Sequence, residues 1–109
     1  MANSKNRYKI AVLGAGHGGL AMAGHLALMG HKVNLFNRGE ERLWGVRSSG
    51  TIELTGEIEG FGKLNMATTS MKEAISGVEL IMVVVPANGH RWMAEQMAPH
   101  LVDDQIIVL

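Results

Sequence analysis

Apolar and polar residues fall along the chain in blocks whose periods alternate between those of strands and helices. Tyr8-Lys-Ile-Ala-Val-Leu13 is a near-continuous apolar run, the pattern of a strand buried in a parallel sheet. It predicts a first strand over 8–13. The next apolar block, from about 17 to 29, is apolar on nearly every side. This predicts a helix buried against the sheet and against neighbouring elements, with Gly30 as its C-terminal stop. Lys32-Val-Asn-Leu-Phe36 reads as a second strand after the short connection expected of a βαβ unit.

The middle of the chain is less regular. Arg38–Trp44 suggests a short helix. Thr51–Glu59 alternates apolar and polar residues around Gly56, the mark of a hairpin with one solvated face. Leu64–Thr68 reads as the third strand of the main sheet. Ser70 and Glu73 have capping-box spacing, which predicts a helix through Ser76 stopped by Gly77. Leu80-Ile-Met-Val-Val-Val85 is the strongest strand pattern, ended by Pro86, which cannot donate to a central ladder. Asn88 is placed to cap a following helix, with Met93, Met97 and Leu101, together with Ala94 and Ala98, as its apolar stripe. Pro99 ends or bends that helix, Asp103-Asp104 form a turn, and 105–109 read as a fifth strand. Residues 1–6 read as a frayed tail. Alternating strands and helices predict an α/β fold, a Rossmann-type doubly wound parallel sheet. The crossover rule favours strand order 3-2-1-4-5, with a small hairpin insertion near 50–60.

Composition narrows the partners. At 109 residues the chain has the size of one domain, and 47% apolar residues suffice for an ordinary core. The formal net charge is +0, so nothing electrostatic recommends nucleic acid or an anionic membrane. There is no cysteine, which excludes disulfides, thiolate catalysis and cysteine metal sites. No apolar run reaches the roughly 20 residues that span a bilayer, and the polar start has no apolar signal core. The expected location is the cytoplasm. His25, His31 and His100 lack metal-ligand spacing. The eight methionines read as core filler, and Trp44 and Trp92 read as packing residues rather than stacking platforms.

The chemistry lies in the connections. Gly14-Ala-Gly16-His17-Gly18-Gly19 joins the first strand to the first helix. A glycine turn there holds a pyrophosphate: the first Gly makes the tight turn, the second lets backbone approach phosphate, and the third lets helix and strand pack closely. The helix N-terminus adds unpaired N–H groups and the positive end of a dipole. The backbone N–H groups of His17 and Gly18 are expected to face the pyrophosphate. The His17 side chain has two readings, a place by the phosphate or nicotinamide, or solvent. Asn37-Arg38 follows the second strand about 20 residues after the turn, where an acidic residue grips the ribose 2′-hydroxyl of NAD. Here there is no acid. Asn does not repel a 2′-phosphate and Arg attracts it with a forked donor, so NADP is favoured over NAD. The alternatives for Arg38 are stacking on adenine or a solvated charge. Val85, Pro86 and Ala87 end the fourth strand on the crevice side, where small apolar residues let a dinucleotide lie flat. Asn88, His90 and Arg91 follow at the mouth. His90 reads as an exposed first-turn residue or as a proton donor.

The runs Ile10-Ala-Val-Leu-Gly-Ala-Gly-His-Gly-Gly-Leu-Ala21 and Gly30-His-Lys-Val-Asn-Leu-Phe-Asn-Arg38 resemble the octopine/nopaline (opine) dehydrogenase family. The segments Ile52–Gly56 with Gly60, Ala67–Ser70 and Val83–Ala87 extend the likeness over about 7–109. More loosely, the chain is similar to glycerol-3-phosphate dehydrogenases and ketopantoate reductases. The resemblance implies a dinucleotide-binding domain followed by an all-helical substrate domain. It also implies NAD(P)H-dependent reductive condensation of an amino acid with a 2-keto acid, or the reverse oxidation. The family's catalytic His-Asp pair belongs to the helical domain, so no catalytic residue is assigned in this chain. The glycine turn, Arg38 at the adenosine end and Pro86-Ala87 at the crevice are carried over. Because the chain stops on a strand, 1–109 is expected to be a truncated cofactor domain lacking its helical partner, inactive alone and prone to self-association through uncovered apolar surface. The alternative is a stand-alone dinucleotide-binding module or sensor without catalysis. FAD is a third ligand for such a turn, but Asn37 replaces the acid its sites carry.

Overall fold

The structure is a computed structural model that describes residues 7–109; the expected tail, 1–6, lies outside the described residues. Five strands form one parallel sheet: β1 (Lys9–Leu13), β2 (Lys32–Phe36), β5 (Met66–Thr68), β6 (Leu80–Val83) and β7 (Ile106–Val108). Their spatial order is β5-β2-β1-β6-β7. Setting aside the hairpin strands, this is the 3-2-1-4-5 order expected from the sequence.

Strand pleating divides the core in two. Ile10 and Val12 pair in register with Val33 and Leu35. All four side chains enter one cluster, with Ala23 of α1 (His17–Leu28), Ile52 and Leu64. Ala11, Leu13 and Phe36 face the other way. There they pack with Met71, Ala74 and Ile75 of α3 (Met71–Ile75) and with Met93 and Met97 of α4 (His90–Met97). Asn34 is the one polar side chain buried in β2. Its amide donates to the Ala74 carbonyl (2.9 Å) and its oxygen accepts from Asn65 Nδ2 (2.7 Å).

Local signals explain the element ends. Gly30 takes φ +102°, and its N–H donates to the Ala27 carbonyl while His31 N–H donates to Leu26. These two bonds make a Schellman end to α1. At α3 the expected capping box forms with an extra member. Ser70 Oγ accepts the Glu73 N–H, and the Glu73 carboxylate accepts from Thr68 Oγ1, which itself accepts the Ser70 N–H.

Several expectations are corrected. The helix read over 38–44 begins later: a 3₁₀ turn at Glu41–Leu43 leads into α2 (Trp44–Ser49), closed by left-handed Gly50. The hairpin's second limb is not 57–59. Instead β3 (Thr51–Leu54) pairs antiparallel with β4 (Gly60–Lys63), and 55–59 form the loop. Asn88 does not cap α4. Residues Ala87–Gly89 form a 3₁₀ turn held by Gly89 N–H to the Pro86 carbonyl (2.8 Å), and α4 starts at His90 without a side-chain cap. Only Met93 and Met97 of the predicted stripe are buried; Ala94, Ala98 and Leu101 are exposed.

The hairpin forms the outer cover of α1. Gly62 lies so close to Gly24 that a Cβ there would collide with the Gly24 carbonyl oxygen, and Ile52 and Leu54 crowd the position of a Gly24 Cβ. Glycine at both places lets helix and hairpin touch backbone to backbone. Gly62→Ala is therefore expected to destabilise the domain by about 1–3 kcal/mol, the usual cost of overpacking. Gly39→Ala, where a Cβ meets nothing within 4 Å, is the control. Thermal unfolding checks this: equal midpoints for the two variants would show that the hairpin does not sit on α1.

Candidate functional site

The loops after β1, β2 and β6 meet at the C-terminal edge of the sheet. Gly14 continues the β1 line with its N–H on the Phe36 carbonyl (2.8 Å), at φ +117°. Both its dihedral angle and its neighbours demand glycine, because a Cβ would run into the Val84 carbonyl. Gly19, in the first turn of α1, is packed against Gly14 so tightly that a Cβ would overlap the Gly14 oxygen. Gly16 is the contrast. It is the N-cap of α1 in extended conformation (φ −74°, ψ −175°), and a Cβ there meets nothing within 4 Å. So the first and third glycines shape the turn, while the second opens onto free space.

That space is a cleft of about 650 Å³. Gly16, His17, Gly18 and Gly19 form one side and Val83, Val84, Val85, Pro86 and His90 the other. The first N–H groups of a helix have no intrahelical acceptor. In α1 no side chain caps them and the first turn contains no acid. A phosphate at this end would find unpaired donors, the favourable end of the helix dipole and no repelling carboxylate. Three further walls were not read from the sequence. Met22 stands one turn beyond Gly18, Met82 alternates with Val84 along β6, and Val108 and Leu109 close the floor beside β6. Met22 and Met82 are legible only as helical and strand periodicity relative to the turn; Val108 and Leu109 need the β6–β7 register. Ala87 lies in the turn above the cleft and is not part of its wall.

Asn37 and Arg38 lie outside the cleft wall, at the end of β2. Asn37 turns inward. Its Oδ1 accepts the Ala15 N–H (2.9 Å) and its Nδ2 donates to the Gly39 carbonyl (2.9 Å). One side chain thus ties the glycine turn to the loop that carries Arg38. Arg38 is exposed, and its guanidinium carbon lies 4.6 Å from the Trp92 ring centroid. The neighbouring Glu40 pairs instead with Arg47 (3.1 Å). No three His, Asp or Glu residues are grouped to hold a metal ion among the described residues, and none of their helices is long and apolar enough to cross a membrane.

Ala15 is fully buried, so removing its acceptor leaves a buried N–H unpaired at a cost of about 1–3 kcal/mol. Asn37→Ala is expected to lose that much stability in urea unfolding, whereas Asn37→Asp, which keeps an acceptor oxygen, is expected to lose less. Equal losses would show that the Ala15 bond does not hold the turn.

Comparison with known proteins fits this geometry. The profile described as NAD-dependent glycerol-3-phosphate dehydrogenase N-terminus matches residues 9–109. A glycerol-3-phosphate dehydrogenase [NAD(P)+] of Limosilactobacillus reuteri is 36% identical over 89 residues, covering 82% of this chain and 26% of that protein. An opine dehydrogenase of Arthrobacter is 32% identical over 100 residues, covering 91% of this chain and 28% of that one. Among solved structures, glycerol-3-phosphate dehydrogenase from Coxiella burnetii superposes with TM-score 0.76 at 27% identity, over 93% of this chain and 31% of that chain. Octopine dehydrogenase with NADH and pyruvate superposes with TM-score 0.78 at 25% identity, over 92% and 28%. The chain therefore spans under a third of the length of these relatives. The order of likeness read from the sequence is reversed: opine dehydrogenases are related neighbours, and the glycerol-3-phosphate dehydrogenases are the closer group. The chain belongs to the family of NAD-dependent glycerol-3-phosphate dehydrogenase N-terminal domains, which are NAD(P)-binding domains.

Proposed function

We propose that this domain holds the dinucleotide for hydride transfer at C2 of glycerol 3-phosphate: NAD(P)+ would accept the hydride as the alcohol is oxidised to the ketone with loss of a proton, and NAD(P)H would return it to the ketone in the reverse direction. In this reading the pyrophosphate lies on the N–H groups of His17 and Gly18, with Gly14, Gly16 and Gly19 shaping the turn. The adenosine end lies by Asn37 and Arg38, and the nicotinamide lies along Val85 and Pro86. The observation that carries the reading is the open space at Gly16, set against an uncapped helix N-terminus without acids. The bound dinucleotide supplies the hydride; the chain's own residues place and orient it. NADP(H) is the favoured form, because no carboxylate pairs with Arg38 among the described residues.

Hydride transfer needs a substrate held about 3–3.5 Å from the reacting carbon and a placed acid–base group. The relatives are more than three times as long as the part matched here. A following helical domain is proposed to carry those groups. A cytoplasmic location belongs to the same proposal. So does self-association of the 109-residue chain through β7 and the residue after it, where Ile106 is 62% and Leu109 76% exposed; a single monomeric species at high concentration in sedimentation would remove that part.

A second reading keeps the domain and changes the substrate to an amino acid and a 2-keto acid, on the strength of the Arthrobacter relative and the octopine dehydrogenase fold. The two separate in one assay of the parent protein. Saturable NADPH oxidation with the keto form of glycerol phosphate supports the first, and oxidation only with amino-acid and keto-acid pairs supports the second.

Cofactor binding itself is tested at Gly16. A valine there meets no protein atom within reach of its Cβ, so Gly16→Val is expected to fold normally and lose affinity for NADPH by at least about tenfold, roughly 1.4 kcal/mol. Calorimetry on both proteins checks it, with thermal midpoints as the folding control. Unchanged affinity would remove the turn from the site.

A further inference from the structure

Phe36, Trp92 and Arg38 form a stack that runs from the core to the surface. Phe36 ends β2 and is buried; the Trp92 ring on α4 lies 6.2 Å from it, centroid to centroid, at 28°. The Arg38 guanidinium carbon lies over the Trp92 ring, 4.6 Å from its centroid, and Arg38 itself is exposed. Trp92 itself is half-buried and packed against the α3/α4 side of the core.

We propose that Trp92 is a positioning residue for cofactor selection: it holds the Arg38 cation at the adenosine end, ready for the 2′-phosphate of NADP(H). This rests on the dinucleotide reading above. A guanidinium stacks through its face, while its N–H donors lie along the edge. Stacking on indole therefore fixes the group and leaves the donors available. Among the described residues nothing else engages it: Arg38 makes no ion pair and no side-chain hydrogen bond, and the nearby Glu40 is taken by Arg47. An arginine free in solvent loses rotamer freedom when it grips a phosphate, and one already stacked loses less. Trp92 should thus matter to the cofactor that carries the 2′-phosphate and hardly at all to the one that lacks it.

The test measures NADPH and NADH dissociation constants for the wild-type chain, Trp92→Leu, Trp92→Phe, Arg38→Ala and the Trp92→Leu/Arg38→Ala double variant. Loss of the stack is expected to weaken NADPH by about three- to tenfold, the range of an exposed to partly desolvated cation–π contact, with NADH changed less than about twofold on the same grounds. Trp92→Phe should restore most of the NADPH affinity. In the Arg38→Ala background Trp92→Leu should have no further effect on NADPH. Equal weakening of both cofactors, or additive effects in the double variant, would make Trp92 a packing residue only and overturn the proposal. Wild type that binds neither cofactor would overturn the dinucleotide reading first. If Trp92→Leu does not fold, Trp44→Phe leaves Trp92 as the one indole of the chain, which has two. Its emission should then respond to 2′,5′-ADP and not to 5′-ADP; an equal response to both would likewise overturn the proposal.

Discussion

The structure depends on one contact between backbones: Gly19 of α1 against the carbonyl of Gly14. No side chain fits between them. This contact brings the start of α1 down onto the end of β1 and aims its free N–H groups across the sheet's C-terminal edge. Two consequences follow from that placement. The cleft opens between α1 and the end of β6, and Ala23 of α1 comes to rest on the Val12 and Leu35 side of the sheet. A larger residue at position 19 would lift the helix, uncover that cluster and turn the anion-facing end away. Core and proposed site therefore share a constraint, and neither could vary alone.

Asn37 extends the constraint sideways. Residues at the end of the second strand are usually discussed for what they offer a ribose. Here both ends of the amide are already engaged with the Ala15 N–H and the Gly39 carbonyl. What it offers the ligand is indirect: a fixed turn on one side and a fixed loop on the other. A carboxylate at this place would satisfy Ala15 with one oxygen and leave negative charge facing any 2′-phosphate. The amide satisfies the same N–H without that charge and adds a donor that pins the Arg38 loop. In the proposed placement a single neutral side chain would thus serve both charge selection and structural support.

The parts legible in the sequence are those where one residue's chemistry decides the local backbone. The runs of β1 and β6 are apolar at consecutive positions because both faces of the sheet are covered, and Gly14, Gly30 and Gly77 turn the chain at positive φ. The second limb of the hairpin was not legible for a related reason. Gly60-Phe-Gly-Lys63 has little apolar alternation, because its inward position is read as absence: Gly62 must leave room for Gly24, a contact 38 residues away in sequence that no local pattern reveals. The α4 cap failed because Pro86 sends the chain into a 3₁₀ turn that satisfies the Gly89 N–H, so Asn88 has no helix end to cap. Around the cleft, the glycines and Pro86 are legible from motif and position. Met22, Met82 and Val108 depend on which elements become neighbours. From the sequence Trp92 reads as packing; its contact with Arg38 appears only once α4 is folded back beside β2.

The same geometry explains why one domain resembles both glycerol-3-phosphate and opine dehydrogenases. Its distinctive contacts are among backbone groups of the glycine turn, the end of β6 and the loop after β2. Every dinucleotide presents a pyrophosphate, and a turn built of N–H groups recognises that charge without regard to what the nicotinamide will reduce. NAD and NADP differ by one phosphate, which in the proposed placement would meet the loop carrying Arg38. Differences among substrates would involve the far side of the nicotinamide; in the proposed placement the titratable side chains of the cleft wall are two histidines, His17 and His90. A wall so sparse in polar side chains would hold a ring flat and leave the choice of reacting partner to whatever faces it. Substrate identity can therefore change across the family while Gly14, Gly16 and Gly19 keep the same work. The 36% and 32% likenesses to two different kinds of enzyme are what that division would produce.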